Sequence, residues 1–101
     1  MNQAQLMQQM RKMQQEMQKA QEELSNTIVT GLAAGDTVRI EMTADYQVKG
    51  VKLSRAAVDP DDLETLEDLV LVAFNDAVKK AQDASAKRMG ALTGGMRIPG
   101  L

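Results

Sequence analysis

The chain has 101 residues, which is the size of one small domain. Hydrophobic residues make up 44% and charged residues 26%, so there is enough apolar material for a folded core. Only 2% of the residues are aromatic, while 8 are methionine, so the core must be built from aliphatic side chains. Such a core is marginal in so short a chain, and we therefore expect a second subunit.

The residue types that are absent exclude several chemistries. The chain has no cysteine, which excludes disulfides, thiolate nucleophiles and thiolate-bound metals. It has no histidine, which removes the usual general base near neutral pH and the commonest transition-metal ligand. No nucleophile, base and binding loop occur together. We therefore predict that the protein is not an enzyme, with no catalytic residue, metal site, cofactor or small-molecule substrate.

The net charge of −2 is an average over two unlike segments. Residues 59–78 contain seven acids and no base, whereas residues 79–101 contain five bases and one acid. The acidic segment lacks the spacing and mid-loop glycine of a calcium-binding loop, so we expect it to cap a helix. The chain shows neither a secretory signal nor an apolar run of the roughly 20 residues that span a bilayer. A cytoplasmic protein is expected.

The first predicted element is a helix of about residues 2–25. No glycine or proline interrupts this segment, and its apolar residues are separated by alternating gaps of four and three residues, a heptad pattern. They are Leu6, Met10, Met13, Met17, Ala20 and Leu24. Two interpretations stay open: the stripe packs on the rest of the protomer, or it packs against a second copy.

Three strands are predicted within residues 27–54. The turn residues Gly35-Asp36 separate the first strand from the second, in which apolar and polar residues alternate from Val38 to Thr43. The third strand follows a turn at Ala44-Asp45. Its apolar residue before Gly50 is at an even position, Val48, whereas those after it are at odd positions, Val51 and Leu53. This change of alternation predicts a β-bulge beside Gly50. A three-stranded antiparallel meander is the simplest arrangement, and its free edges invite pairing with another chain.

The second helix is predicted over about residues 60–89. Asp59 is the expected N-cap and Pro60 the first helical residue, and Gly90, or alternatively Gly94-Gly95, is expected to end the helix before a tail at 94–101. Its wide apolar stripe suits a helix lying across the sheet. The fold class is therefore α+β, a single domain over 1–101 in which both helices can cover one sheet face.

Seven segments of the sequence form a series of motifs: Leu6-Met7-Gln8-Gln9-Met10, Leu66-Glu67-Asp68-Leu69-Val70, Phe74-Asn75-Asp76-Ala77, Lys79-Lys80, Met89-Gly90, Thr93-Gly94-Gly95 and Ile98-Pro99-Gly100-Leu101. This series resembles the YbaB/EbfC family of bacterial nucleoid-associated DNA-binding proteins. The segments extend over essentially the whole chain. Two loops depart from the family pattern, because Ala33-Ala34-Gly35-Asp36 stands where a glycine-rich run is usual, and Ala44-Asp45 where a glycine is usual.

The resemblance implies an α-β-β-β-α protomer whose sheets pair in a homodimer, with long helices projecting as arms that hold double-stranded DNA. It also implies a nucleoid-associated role in DNA organisation or gene expression. The LEDL and NDA segments are interpreted as structural. The candidate DNA-binding residues are the basic positions on the arms and tail: Arg11, Lys12, Lys19, Lys79, Lys80, Lys87, Arg88 and Arg97. An alternative function is a protein-interaction adaptor whose Met-rich first helix docks a partner.

Overall fold

The computed structural model describes residues 2–94, and it confirms the predicted α-β-β-β-α order. The elements are α1 (Gln3–Ser25), β1 (Ile28–Ala33), β2 (Val38–Thr43), β3 (Val48–Leu53), a short 3-10 turn (Arg55–Ala57) and α2 (Leu63–Gly94). The strands form one antiparallel sheet in the order β1-β2-β3. The predicted tail, including Arg97, lies outside the described residues except for Gly94.

One face of the sheet is apolar, and its register shows why. Val38, Ile40 and Met42 of β2 are buried, and the residues opposite them in β3 are Leu53, Val51 and Val48. Glu41 pairs with Gly50, but the next residue of β2, Met42, pairs with Val48. Lys49 is therefore an extra, unpaired residue in β3. This arrangement confirms the bulge predicted beside Gly50. The bulge places Val48 on the same face as Val51 and Leu53. In a regular strand, Val48 and Val51 would lie on opposite faces because they are three residues apart.

Helix α2 packs over β1 and β2 on this apolar face. Its contact line consists of Ala73, Ala77 and Ala81, all fully buried. These small side chains let the helix approach the strand closely at Gly31, where a Cβ atom would overlap the Ala73 carbonyl oxygen and lie 2.6 Å from the Ala77 Cβ. Glycine is required at position 31 by this approach rather than by an unusual backbone angle.

The ends of α2 differ from the prediction. The helix begins at Leu63, not near Pro60, and the N-cap is Asp62. Asp62 accepts hydrogen bonds from the Thr65 hydroxyl (2.6 Å) and backbone N–H (3.2 Å), and these bonds, the hydroxyl bond foremost, hold the pKa of Asp62 below its usual value. Asp59 instead accepts a bond from the Asp61 N–H in the preceding turn. At the other end the helix continues through Gly90 to Gly94, so the prediction that Gly90 ends it is wrong.

Helix α1 packs mainly against α2. The prediction that both helices cover the sheet therefore does not hold for α1. Only the last part of its apolar stripe is buried in the protomer, at Ala20 and Leu24, whereas Leu6 and Met10 are about half exposed, at 48% and 57%. The interpretation that the stripe packs within the protomer therefore holds for the end of α1 alone. The rest of the stripe is free to contact another molecule.

The two hairpin turns place non-glycine residues in the left-handed backbone region. Ala34 has φ 50° in the first turn, beside Gly35 with φ 72°, and Tyr46 has φ 73° in the second. In the second turn the left-handed residue is thus Tyr46, next to the Ala44-Asp45 pair in which the turn was predicted. The first loop thus combines a left-handed alanine with a left-handed glycine, whereas the second has a left-handed tyrosine and no glycine.

Candidate nucleic-acid interface

The projecting part of the molecule consists of α1 together with residues 82–94 of α2, which we call the arm. Because α1 runs toward the sheet and α2 leads away from it, the two helices are antiparallel. A 23-residue helix is about 34 Å long, and the longest dimension of the molecule is 70 Å. The arm therefore extends well beyond the three-stranded sheet.

Three predicted site residues lie on the α1 side of the arm. Arg11, Lys12 and Lys19 are exposed, and within residues 2–94 none of them has an ion pair or hydrogen bond. Eight residues of helix separate Arg11 from Lys19, which corresponds to about 12 Å along the axis. All three cations are therefore exposed on α1, and Lys19 also attracts the Glu23 carboxylate electrostatically.

The α2 side of the arm carries Lys87 and Arg88, which the structure places differently. Lys87 is exposed, whereas the Arg88 Nε donates a 2.6 Å hydrogen bond to Glu23 of α1. This bond is the main cause that holds the pKa of Glu23 below its usual value. Arg88 thus joins the two helices of the arm, and Lys19 lies one helical turn from the same carboxylate.

Lys79 and Lys80 lie before the arm, where α2 still packs on the sheet. Lys79 is exposed, but the Lys80 Nζ donates a 2.8 Å hydrogen bond to the Thr30 carbonyl and pairs with Asp76 at 3.0 Å. Asp76 also accepts a 2.9 Å bond from the Leu32 N–H. The pKa of Asp76 lies below its usual value. The backbone hydrogen bond from Leu32 is the larger cause, and the hydrogen bond from Lys80 is the next.

Thr30 and Leu32 belong to β1, which is an edge strand, and their bonded groups are the ones turned away from β2. Asp76 and Lys80 therefore satisfy backbone groups that the edge strand would otherwise offer to another chain. This explains the spacing of four residues between the acid and the base. It also gives Lys80 a structural role that competes with any contact to DNA.

Four basic residues outside the predicted set lie in or beside the sheet: Arg39, Lys49, Lys52 and Arg55. The strand alternation had assigned Arg39 to the polar face of β2. Lys52 lies directly opposite Arg39 in the structure. This pairing depends on the register between β2 and β3, which the bulge changes by one residue. The sequence offered no local signal for this juxtaposition.

The described residues give no sign of two other kinds of site. Within residues 2–94, no three Asp or Glu side chains come together in an arrangement that could hold a metal ion. In the same part of the chain, no helix is both long enough and apolar enough to span a membrane.

Comparison with known proteins agrees with the motifs in the sequence. The model of the YbaB/EbfC DNA-binding family matches residues 1–96. The chain belongs to this family. A nucleoid-associated protein of Roseiflexus sp. (strain RS-1) is 50% identical over 100 residues, which are 99% of each chain. A nucleoid-associated protein of Chloroflexus aurantiacus (strain ATCC 29366 / DSM 635 / J-10-fl) is also 50% identical, over 96% of this chain and 97% of its own.

The family fold is also found in a solved structure. The crystal structure of an uncharacterized protein from Helicobacter pylori superposes with a TM-score of 0.76, covering 96% of this chain and 99% of that chain. Its sequence identity is 18%, so this likeness concerns the fold. The YbaB/EbfC assignment rests on the family model and on the two relatives.

Proposed function

We propose that this YbaB/EbfC protein binds double-stranded DNA as a homodimer, with phosphates held by basic residues on its helical arms. It acts in the nucleoid, within the cytoplasm, and influences DNA organisation or gene expression. The observation that carries the proposal is the set of exposed cations without an ion pair on α1, a projecting helix of a chain that belongs to a DNA-binding family.

The arm contains five basic and four acidic residues, a small excess of positive charge that favours phosphates there over the strongly acidic start of α2. The arm and Lys79 provide five exposed cations without an ion pair among residues 2–94: Arg11, Lys12, Lys19, Lys79 and Lys87. The acids at 59–68 precede the part of α2 that packs on the sheet and lie away from the arm. Few aromatic side chains are present to stack on unpaired bases, so a duplex is the better target.

An uncovered apolar surface favours the homodimer. On the apolar face of the sheet, α2 covers β1 and β2 but leaves Val48, Val51 and Leu53 of β3 about half exposed. Phe74 of α2 is 40% exposed. It lies about 200° around the helix from Asp76, which is bonded at the β1 edge, so Phe74 is on the flank nearer β3. A second copy would bury these side chains, which face a gap in the protomer.

A salt titration of duplex affinity tests the role of the arms. Replacing Arg11 and Lys12 together by glutamine removes two charges from α1 without removing a buried contact. We expect binding to weaken roughly tenfold or more at low salt. We also expect the slope of log K against log salt to become shallower by about 0.9 for each lost phosphate contact. Fluorescence anisotropy with a labelled duplex measures both quantities.

Glu16→Gln is the matched control, because it lies on the same helix between the two groups of bases and removes an acid. It is expected to strengthen binding. An absence of duplex binding by the wild-type protein at low salt would refute the proposal. A slope that stays constant when Arg11 and Lys12 are replaced would refute the role of the arms.

The exposed first part of the α1 stripe favours a second function, that of an interaction adaptor. Leu6, Met10 and Met17 of the stripe, and Met7 beside it, are all more than 40% exposed, and methionine-rich helical surfaces adapt to different partners. Affinity capture from a nuclease-treated lysate distinguishes the two functions. A defined partner that persists without DNA, and that is lost when Met10 is replaced by glutamate, supports the adaptor. Loss of all partners with the DNA supports the DNA-binding function.

A further inference from the structure

The polar face of the sheet carries two cations in direct opposition. Arg39 in β2 is paired in register with Lys52 in β3 and, on its other side, with Leu32 in β1. Side chains directly opposite each other in neighbouring antiparallel strands are about 5 Å apart at Cβ, and like charges there are destabilising. The protein therefore keeps an unfavourable pair at the centre of an open sheet face.

Neither cation is neutralised within the protomer. Among residues 2–94, no acidic side chain lies within ion-pair distance of Arg39 or Lys52. Glu41 is in the next row of the same face, opposite Gly50, and forms no ion pair with them. The row at Arg39 is thus a local concentration of positive charge in a segment whose charges otherwise nearly cancel.

The Arg39 side chain also has an unsatisfied donor. Its Nε atom is buried and has no hydrogen-bond partner among the described residues. A buried donor without an acceptor costs free energy, more so when the group is charged. The fork of a guanidinium group matches the oxygens of a phosphate, and the Lys52 ammonium would add a second point of contact.

We propose that the Arg39–Lys52 pair binds a phosphate group of the DNA backbone, forming a contact on the polar sheet face that is separate from the arms. This inference rests on the proposed DNA-binding function and adds a second surface to it. A second copy is the expected occupant of the apolar face above β3, which leaves the polar face accessible to DNA. The bound phosphate would pair with the exposed Lys52 ammonium and with the guanidinium group of Arg39, and it would relieve the repulsion between the two cations.

The test compares the wild-type protein with Lys52→Gln, and with Lys49→Gln as the matched control. Lys49 has the same charge in the same strand, but it is the extra residue of the bulge and has no residue paired opposite it. Lys52→Gln is expected to weaken duplex binding about tenfold and to reduce the salt slope by about 0.9. The control should leave the slope unchanged.

A second readout observes Arg39 directly. In nitrogen–proton correlation spectra, the Arg39 Nε–H signal should shift when a short duplex is added, and the shift should be smaller in Lys52→Gln. Without DNA, Lys52→Gln should raise the melting temperature, because it removes the like charge opposite Arg39. A variant that is more stable yet binds more weakly is not explained by a purely structural role.

Titration with inorganic phosphate distinguishes the sources of the anion. A shift with free phosphate but none with duplex would overturn the assignment to DNA and leave a small-anion site. Duplex binding that is unaffected in Lys52→Gln, with no shift at Arg39, would overturn the inference while the arm proposal stands. If the wild-type protein binds no duplex, both the proposed function and this DNA contact fail, and the phosphate titration alone decides whether Arg39 binds an anion.

Discussion

At the scale of single residues, Gly31 determines how closely α2 can approach the sheet. Gly31→Ala would place a methyl group against the backbone of Ala73 and the side chain of Ala77, neither of which can move without shifting the helix. Overpacking of this kind costs about 1–3 kcal/mol, and a clash with backbone belongs at the upper end or beyond. We expect a loss of at least about 2 kcal/mol in the free energy of unfolding, measured by urea denaturation.

Gly50→Ala provides the comparison for Gly31. A Cβ atom at Gly50 would lie 3.7 Å from a Glu41 carboxylate oxygen, an ordinary contact. Alanine there should change stability by less than about 1 kcal/mol, with a gain from reduced freedom of the unfolded chain. Equal losses in the two variants would show that the requirement at Gly31 is not the packing of α2.

At the scale of secondary-structure elements, Asp76 and Lys80 connect α2 to the open edge of β1. The pKa of Asp76 is lower in the folded protein than its ordinary value of 3.8. The ionised carboxylate therefore stabilises the fold at pH values above 3.8, and this contribution is lost as the pH falls through the folded-state pKa. Asp76→Asn keeps the shape but removes the charge. The variant should be less stable than the wild type at neutral pH, and the difference should shrink below pH 3.8.

Urea midpoints measured over a pH series check this prediction. Asp83→Asn is the control, because Asp83 is an exposed acid of the same helix that makes no ion pair or hydrogen bond to the sheet among the described residues. Its midpoint should follow that of the wild type. The urea midpoints of the wild type and of Asp76→Asn could instead differ by the same amount at every pH down to the acid transition. That result would show that the charge of Asp76 contributes nothing.

The sequence predicted elements well where a local period determines them. The heptad spacing of α1 and the alternation from Val38 to Thr43 follow from helix and strand geometry, and the parity change beside Gly50 marked the bulge. The start of α2 was misplaced because Asp59 followed by Pro60 is a strong local signal for a helix N-terminus, whereas the hydrogen bonds from Thr65 make Asp62 the cap.

The candidate site was less predictable, since it depends on contacts between distant parts of the chain. Lys80 is bonded to Thr30, 50 residues away, and Arg88 to Glu23, 65 residues away. Nothing in a run of basic residues distinguishes those that packing engages from those that stay free. The structure separates the two groups. It leaves Arg11, Lys12 and Lys19 unpaired within residues 2–94, and whether they contact DNA stays a prediction.

At the scale of the whole molecule, the protomer leaves an apolar surface uncovered, and this surface is the one proposed to pack against a second copy. Val51 lies on that surface in β3 and is 53% exposed. Val51→Glu should therefore leave the protomer folded but place a charge in the proposed homodimer contact, which is costly when buried without a partner. We expect sedimentation equilibrium at micromolar concentration to give a dimer for the wild type and a shift toward monomer for the variant.

Ile28→Glu is the matched control for the dimer. Ile28 is 50% exposed and lies opposite Thr43, on the other face of the sheet from Val51. The same substitution there should leave the dimer intact. If both variants dissociate equally, the loss reflects general destabilisation rather than a contact above β3. A stable monomeric wild type would refute the dimer, and duplex affinity would then have to arise from a single arm.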